Sequence, residues 1–306
     1  MNWRNEQIDL GIAPTPVIDG SGLKPGLWIK DDGHSASRYG GNKPRKLAYL
    51  LHGAPERIAT MGAMGSHHCL ATAVHGMSAG HQVDVVTFQR PHTPHVEQVL
   101  QATQARATMH VTASLDDAKD TLAQLGAQGV MTIPAGGSSA RGALGFVQAG
   151  EELIAQVNSG LLPRPRRIWA AMGTAGTVVG LAMAVKAAGW DTEVMAVRVV
   201  PHAWLPESDI VELAAGVARL TGLEPAVPTI DDTQLGDGYG EATTAGVAAV
   251  DALASVTPLE TTYTGKALAA ALADTDTATS VFWQTHNTWS LAPLLEGTAP
   301  CSNVWA

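Results

Sequence analysis

The sequence predicts an α/β protein whose parallel sheets are covered by helices on both faces. Two observations carry this: short β-type runs alternate with helical ones through most of the 306 residues, and the strands are flanked by Gly and Pro. Abundant Ala and Gly suit closely packed helix–sheet layers better than a coiled coil. Residues 57–60 (RIAT) read as a strand leading into an Ala-rich helix over 68–79. QVDVVTF at 82–88 is a strand, followed by a helix from about 95 to 105. A strand at 108–112, a helix at 115–125 and a strand at 129–133 come next, then a helix from about 144 to 157. Residues 167–171, 178–187 and 193–200 repeat the strand, helix, strand theme. Such sheets bind ligands where the carboxyl ends of strands turn into helices. Three Gly/Ser/Thr/His-rich stretches, 62–68, 135–142 and 173–177, fall at those places, so a site built between sheets is expected.

Composition removes several function classes. Hydrophobic residues make up 45% and charged residues 15%, as in an ordinary globular protein long enough for one large or two modest domains. The net charge of −9 comes with no basic patch able to neutralise phosphates, so no nucleic-acid partner is expected. Basic residues cluster at Lys43, Arg45 and Lys46 and at Arg164, Arg166 and Arg167; the second group reads as a solvated turn. Two cysteines, Cys69 and Cys301, are too few for a disulfide framework, and no Cys/His spacing suggests a metal. No apolar leader is visible, which gives a cytoplasmic expectation. Residues 168–185 are uncharged over about the length of a membrane span, but Gly173, Gly176 and Gly180 interrupt them. A strand, a loop and a helix explain that stretch better, so no membrane is expected.

Two motifs carry chemistry. In AAMGTAGTVVG (170–180), apolar residues precede Gly173 and a helix follows Thr177. Glycines let backbone N–H groups approach an anion at the positive end of a helix dipole, and the threonines add donors. A tight turn packed against a strand is the alternative. The pattern is neither a Walker sequence nor a GxGxxG fingerprint, so a bare phosphate on a small cofactor fits it better than a nucleoside triphosphate. In YGGNKPRKLAYL (39–50), Pro44 favours a first helical turn, with Lys43 at its mouth and Lys46 one turn later. A lysine desolvated there has a lowered pKa, and its free amine can form a Schiff base. Both lysines could equally be surface charges. Periodicity does not decide.

Taken in order, GGNKPRKL, GAMGSHH, IPAGGSSARGALGF, GTAGT and YTGK resemble the fold type II (tryptophan-synthase-β-like) enzymes that depend on pyridoxal 5'-phosphate (PLP). Within them the chain is most similar to the 1-aminocyclopropane-1-carboxylate deaminase / D-cysteine desulfhydrase family, from Pro14-Thr15-Pro16 to about Leu294. The resemblance implies two open, twisted, mostly parallel sheets with flanking helices and the cofactor between two domains. The large domain would be 1–46 with 143–306, and the small one 47–142. It implies that Lys43 carries the cofactor as an imine, that Lys46 contacts its phosphate, and that Gly173, Thr174, Ala175, Gly176 and Thr177 form the phosphate cup. Ser66 matches the serine that neighbours the substrate carboxylate and takes part in proton transfer; Tyr239 and Tyr263 match paired active-site tyrosines. His67 stands where the family usually has an asparagine against the cofactor's 3-oxygen, and His68 follows at a position that is His or Gln in relatives.

Thr264 and Thr285 bear on the reaction. Deaminase relatives carry glutamate and leucine there, desulfhydrase relatives two threonines. A carboxylate beside the pyridine nitrogen would keep the ring protonated and strongly electron-withdrawing; a neutral hydroxyl does not, which favours β-elimination over ring opening. The expected function is therefore a D-cysteine desulfhydrase-like PLP-dependent lyase or deaminase acting on a small amino acid, with a homodimer implied by the resemblance. Lys43, or Ser66 aided by a tyrosine, would move the proton. Two other readings stay open: a β-replacement synthase, and a non-catalytic module that binds a phosphorylated ligand. The chain departs from the family at Gln284-Thr285-His286-Asn287-Thr288-Trp289, where relatives read like HTGG followed by Pro. Bulky polar groups are expected beside the site there. Cys69 reads as a small buried hydrophobe.

Overall fold

The fold is that of a computed structural model describing residues 2–90 and 92–298; Cys301 lies outside them. The chain opens with β1 (Val17–Asp19), β2 (Leu27–Asp31) and α1 (Lys43–Leu50). A βαβ series follows: β3 (Arg57–Ala63), α2 (His67–Ser78), β4 (Gln82–Phe88), α3 (Pro94–Gln104), β5 (Thr108–Thr112), α4 (Leu115–Ala127) and β6 (Met131–Ile133). Then come α5 (Ala140–Asn158), β7 (Arg167–Met172), α6 (Gly176–Ala187), β8 (Glu193–Arg198), α7 (Glu207–Thr221) and β9 (Thr229–Asp231). The described chain closes with α8 (Thr244–Leu253), α9 (Thr264–Ala273), β10 (Ser280–Gln284) and α10 (Ala292–Leu295).

Two sheets result. One has six strands in the order β1-β2-β10-β7-β8-β9, parallel except where β1 meets β2; the other has four parallel strands, β5-β4-β3-β6. Residues 168–185 resolve into β7, a loop and α6, and no described helix is long and apolar enough to cross a membrane.

Helix starts follow local chemistry. Ser66, Thr93, Ser114, Ser139 and Thr243 each cap a helix by accepting a backbone N–H of its first turn. α6 is the exception that matters for the site. Ala175 precedes it in the left-handed conformation (φ 61°), the sole non-glycine residue with positive φ among those described, and no side chain caps it. That backbone costs on the order of 1 kcal/mol or more and leaves the helix's first amides to another acceptor.

Small residues let the central layers approach. A Cβ on Gly180 would stand 2.6 Å from the Ala143 carbonyl, so α6 packs directly on α5. Beneath them β10 is buried along its whole length, and Phe146 meets Trp283 edge-on at 6.0 Å.

A charged network runs through this core. Asp32 is fully buried and accepts from Arg45 (2.8 and 3.0 Å), Thr15 (2.8 Å) and the Trp283 indole (2.8 Å). Glu152 bridges the same Arg45 to the buried Lys30. Burial works to raise the Glu152 pKa, but the Arg45 and Lys30 charges outweigh it and hold the carboxyl below its ordinary range.

Candidate active site

The carboxyl ends of β3, β6 and β7 turn into α2, α5 and α6 around one cavity of about 590 Å3, and the start of α1 and the end of β10 complete it. The size suits a small cofactor with its substrate. A larger open depression of about 840 Å3 over residues 7–14 and α5 touches only the outer edge of the ion network, and no expected site residue lines it.

Lys43 enters the cavity from the first residue of α1. The turn before it is pinned to the end of β10: the Asn42 N–H donates to the Thr285 carbonyl (3.0 Å), and a Cβ on Gly41 (φ 77°) would stand 2.7 Å from that oxygen. Only glycine fits there. The Lys43 amine donates to Asn42 Oδ1 (2.9 Å), and the Asn42 amide donates to Thr177 Oγ1 (3.1 Å), which ties the lysine to the 173–177 loop. Loss of hydration pushes the Lys43 pKa down to about 8, against the opposing pull of the Glu260 carboxylate.

Lys46 lies one turn deeper and is buried. Its amine donates to the Gly136 carbonyl (3.2 Å) and Ser138 Oγ (3.1 Å), and no carboxylate among the described residues lies within ion-pair distance of it. Burial, reinforced by Lys43, drives its pKa well below the lysine range. A Cβ on Gly176 would come within 3.0 Å of that amine and 2.7 Å of Ser138 Oγ, so a glycine keeps the cradle open. The Gly176 N–H points to Ser138 Oγ (3.1 Å), which also meets Thr174 Oγ1 (2.7 Å). A buried amine without a counter-ion, beside uncapped amides at a helix start, fits a phosphate.

The other walls carry the remaining expected residues. Ser66 caps α2 from the cavity rim, and a Cβ on Gly62 would clash with its hydroxyl at 2.7 Å. His67 engages the Tyr39 hydroxyl through Nδ1 and faces His95 with Nε2 to Nε2 at 3.0 Å. Burial, then the nearby His286 and His95, push its pKa well down, so the ring is neutral. His68 also lines the cavity, is buried, and is bonded to Thr60 (2.8 Å) through Nε2. The Tyr239 and Tyr263 hydroxyls meet at 2.9 Å, and burial raises both pKa values. Thr285 is nearly enclosed at the end of β10, and Thr264 opens α9.

Of the divergent 286–289 segment, His286 stands edge-on to His67 (4.8 Å between ring centres). Asn287 accepts from the Gly40 N–H (2.7 Å) and donates to the Trp289 carbonyl (3.0 Å), which makes it a clamp on the loop. Trp289 packs on His34 and donates its indole N–H to the Ala36 carbonyl. Cys69 is buried, with its thiol pushed up to about 12 by desolvation.

Sequence reasoning missed four cavity residues: Tyr39 as a partner of His67, together with Arg90, His95 and Glu260. Glu260 accepts from the N–H groups of Thr262 (2.7 Å), Tyr263 (2.9 Å) and Thr264 (2.7 Å), and the Thr264 hydroxyl donates to it (3.1 Å). An acidic residue just ahead of a helix was the available signal.

This arrangement defines an enzyme class. The family described as "Pyridoxal-phosphate dependent enzyme" matches residues 8–280, and the chain belongs to it; PLP is its cofactor. Within that class the chain is similar to D-cysteine desulfhydrases: 31% identical to that of Salmonella paratyphi A and 29% to that of Klebsiella pneumoniae (strain 342), covering 87% of each chain in both cases. Among solved structures it superposes on an ACC deaminase homologue with a TM-score of 0.81 at 22% identity, over 95% of this chain and 96% of that one. Threonine deaminase isoform 2 of Solanum lycopersicum gives 0.65 at 15%, covering 94% and 89%. These two likenesses establish the fold type II architecture of paired, mostly parallel sheets.

The lowered Lys43 pKa has a measurable consequence. Cofactor-free protein should capture PLP at a rate that rises with pH and levels off above about 8, because the uncharged amine is the nucleophile. Glu260→Gln removes the carboxylate that raises this pKa, so the midpoint should move to lower pH. Stopped-flow absorbance reads both. A midpoint near the ordinary lysine value of 10.5 contradicts the assignment.

Proposed function

We propose that the chain is a PLP-dependent lyase or deaminase that removes the Cα proton of a small amino acid and expels a Cβ substituent, as D-cysteine desulfhydrase does. The observation that carries this is that Lys43, Lys46 and Ser66 line one cavity together with Thr264 at the start of α9, whose hydroxyl donates to Glu260.

When bound, the cofactor supplies an electron sink for the charge left at Cα. Lys46 and residues 173–177 would hold its phosphate, and Lys43 would be its attachment point. Ser66 and the start of α2 orient the substrate carboxylate. Lys43 in its uncharged form accepts the Cα proton, and the Ser66 hydroxyl is the second group able to move it. Tyr239 and Tyr263 stay protonated, so they act as hydrogen-bond donors rather than as bases. Thr264 and Thr285 would present neutral hydroxyls to the ring, and His67, held by Tyr39 and His95, would stand on the side of its 3-oxygen. The two sheets support a division into 1–46 with 143–306, and 47–142, whose closure would exclude water. The family resemblance supports a homodimer acting in the cytoplasm, which light scattering and cell fractionation test.

Formation of 2-oxo acid and ammonia from D-cysteine, 3-chloroalanine and 1-aminocyclopropane-1-carboxylate tests the activity. Turnover of the first two is expected; silence on all three rejects this substrate class.

A further inference from the structure

We infer that Arg90 makes this cavity selective for an amino acid bearing a second anionic group. The inference rests on the lyase reading of the same cavity and concerns which substrates it admits.

Arg90 lies two residues beyond β4 and lines the cavity opposite α9. Its guanidinium carbon sits 5.6 Å from the centre of the Tyr239 ring. Gly240 (φ 88°) leaves room for it, since a Cβ there would come within 3.2 Å of the guanidinium. The Nε atom is buried with no hydrogen-bond partner, and no carboxylate among the described residues lies within ion-pair distance. A buried cationic donor left unanswered is costly unless an acceptor completes it, and an anion is the acceptor best matched to its charge.

The charge balance of the cavity points the same way. Glu260 is its one acidic lining residue among those described, and backbone amides of α9 already hold that carboxylate. Lys119 is paired with Asp116 at 2.9 Å. With Lys43 committed to the cofactor and Lys46 to its phosphate, Arg90 is the cation left facing the substrate space. His95 stands near it; loss of hydration and the Arg90 charge lower its pKa against the pull of Glu260, so its ring offers an N–H donor without competing for the counter-ion. The Tyr239 and Trp204 rings, 5.5 Å apart, form the apolar side. A guanidinium fork beside an imidazole donor matches a carboxylate, sulfonate or phosphate at the end of a short side chain. The α-carboxylate of the same molecule has its own position at Ser66.

The experiment titrates the absorbance of purified holoenzyme with isosteric pairs, aspartate against asparagine and glutamate against glutamine, in both enantiomers. Size and shape are then matched within a pair, while the terminal group changes from an anion that only accepts to a neutral amide. The anionic member of at least one pair should bind tighter by about tenfold or more, the ratio that one charge-assisted hydrogen bond gives. Arg90→Gln should erase that ratio and Arg90→Lys should keep part of it. Equal affinities within every pair in the wild type, or a ratio unchanged in a folded Arg90→Gln protein, overturns the inference. Oxo-acid formation from D-cysteine by the wild type is scored separately. Turnover without anion preference leaves the lyase reading standing and removes this one, whereas an Arg90-dependent preference with silence on D-cysteine, 3-chloroalanine and 1-aminocyclopropane-1-carboxylate alike does the reverse.

Discussion

Lys43→Ala should give a folded protein that no longer holds PLP covalently and turns over substrate slower by about a thousandfold or more. Two roles disappear together, since the same amine anchors the cofactor and moves the Cα proton. The fold should survive because the residues that fix the start of α1 remain: Gly41 against the Thr285 carbonyl, and the Asn42 N–H bonded to the same oxygen. Borohydride reduction followed by peptide mapping checks attachment. Wild type should carry the label on residue 43, and the variant should carry none there. Residual binding through Lys46 and the 173–177 loop should persist, so equilibrium dialysis should still find cofactor, more weakly held. Label elsewhere in the wild type, or full turnover by the variant, would remove Lys43 from its proposed role.

The largest expected effect on stability comes from Asp32→Ala. The substitution leaves Arg45 buried, with Glu152 as its remaining carboxylate, and orphans the indole N–H of Trp283, while the Thr15 hydroxyl keeps only its longer bond to Glu152 (3.2 Å) as a donor. Removing one partner of a buried ion pair costs about 3–5 kcal/mol, which corresponds to a fall in melting temperature on the order of 10 °C. Asp32→Asn keeps the shape but not the charge and should fall between the two proteins. The same network sets an acid limit. Glu152 has a folded pKa below its unfolded value, so its contribution is complete above pH 4.5 and is lost as pH falls through the lower folded value. Calorimetric scans of wild type and Asp32→Ala between pH 3 and 7, a range taken from ordinary carboxylate pKa values, read both effects. Equal melting temperatures at neutral pH would refute the weight given to the network.

The alternating middle of the chain was legible in sequence because each strand and helix there carries its own local signal. The strand at 82–88 and the one at 108–112 match residue for residue. Helix α5 starts at Ala140 instead of about 144, because Ser139 caps it four residues ahead of its first strongly apolar face. The strand at 57–60 runs on to Ala63, since Gly62 and Ala63 keep pairing with β4 despite weak strand propensity. Central strands β2 and β10 were not read at all. Lys30 and Gln284 break their apolar runs, and their burial is explained by partners far away in sequence: Glu152 for one, Asp31 and the Thr257 hydroxyl for the other. The ligand-facing motifs were visible because phosphate recognition and helix starts use short, local patterns. Arg90 and His95 were not, because each becomes informative only when two sheets bring separate loops together; Glu260 had a local signal, an acidic residue just ahead of a helix, that went unread.

The opposed rings of His67 and His95 have a consequence for protons. Two Nε2 atoms 3.0 Å apart cannot both bear hydrogen when neutral, nor can both lack it and still attract. With the buried Tyr39 hydroxyl donating to His67 Nδ1, the donors run in one direction: phenol to His67, then His67 to His95. Turning any one member around obliges the others to turn with it. The tautomer of a ring at the mouth of the cavity is thereby dictated by a phenol in its floor.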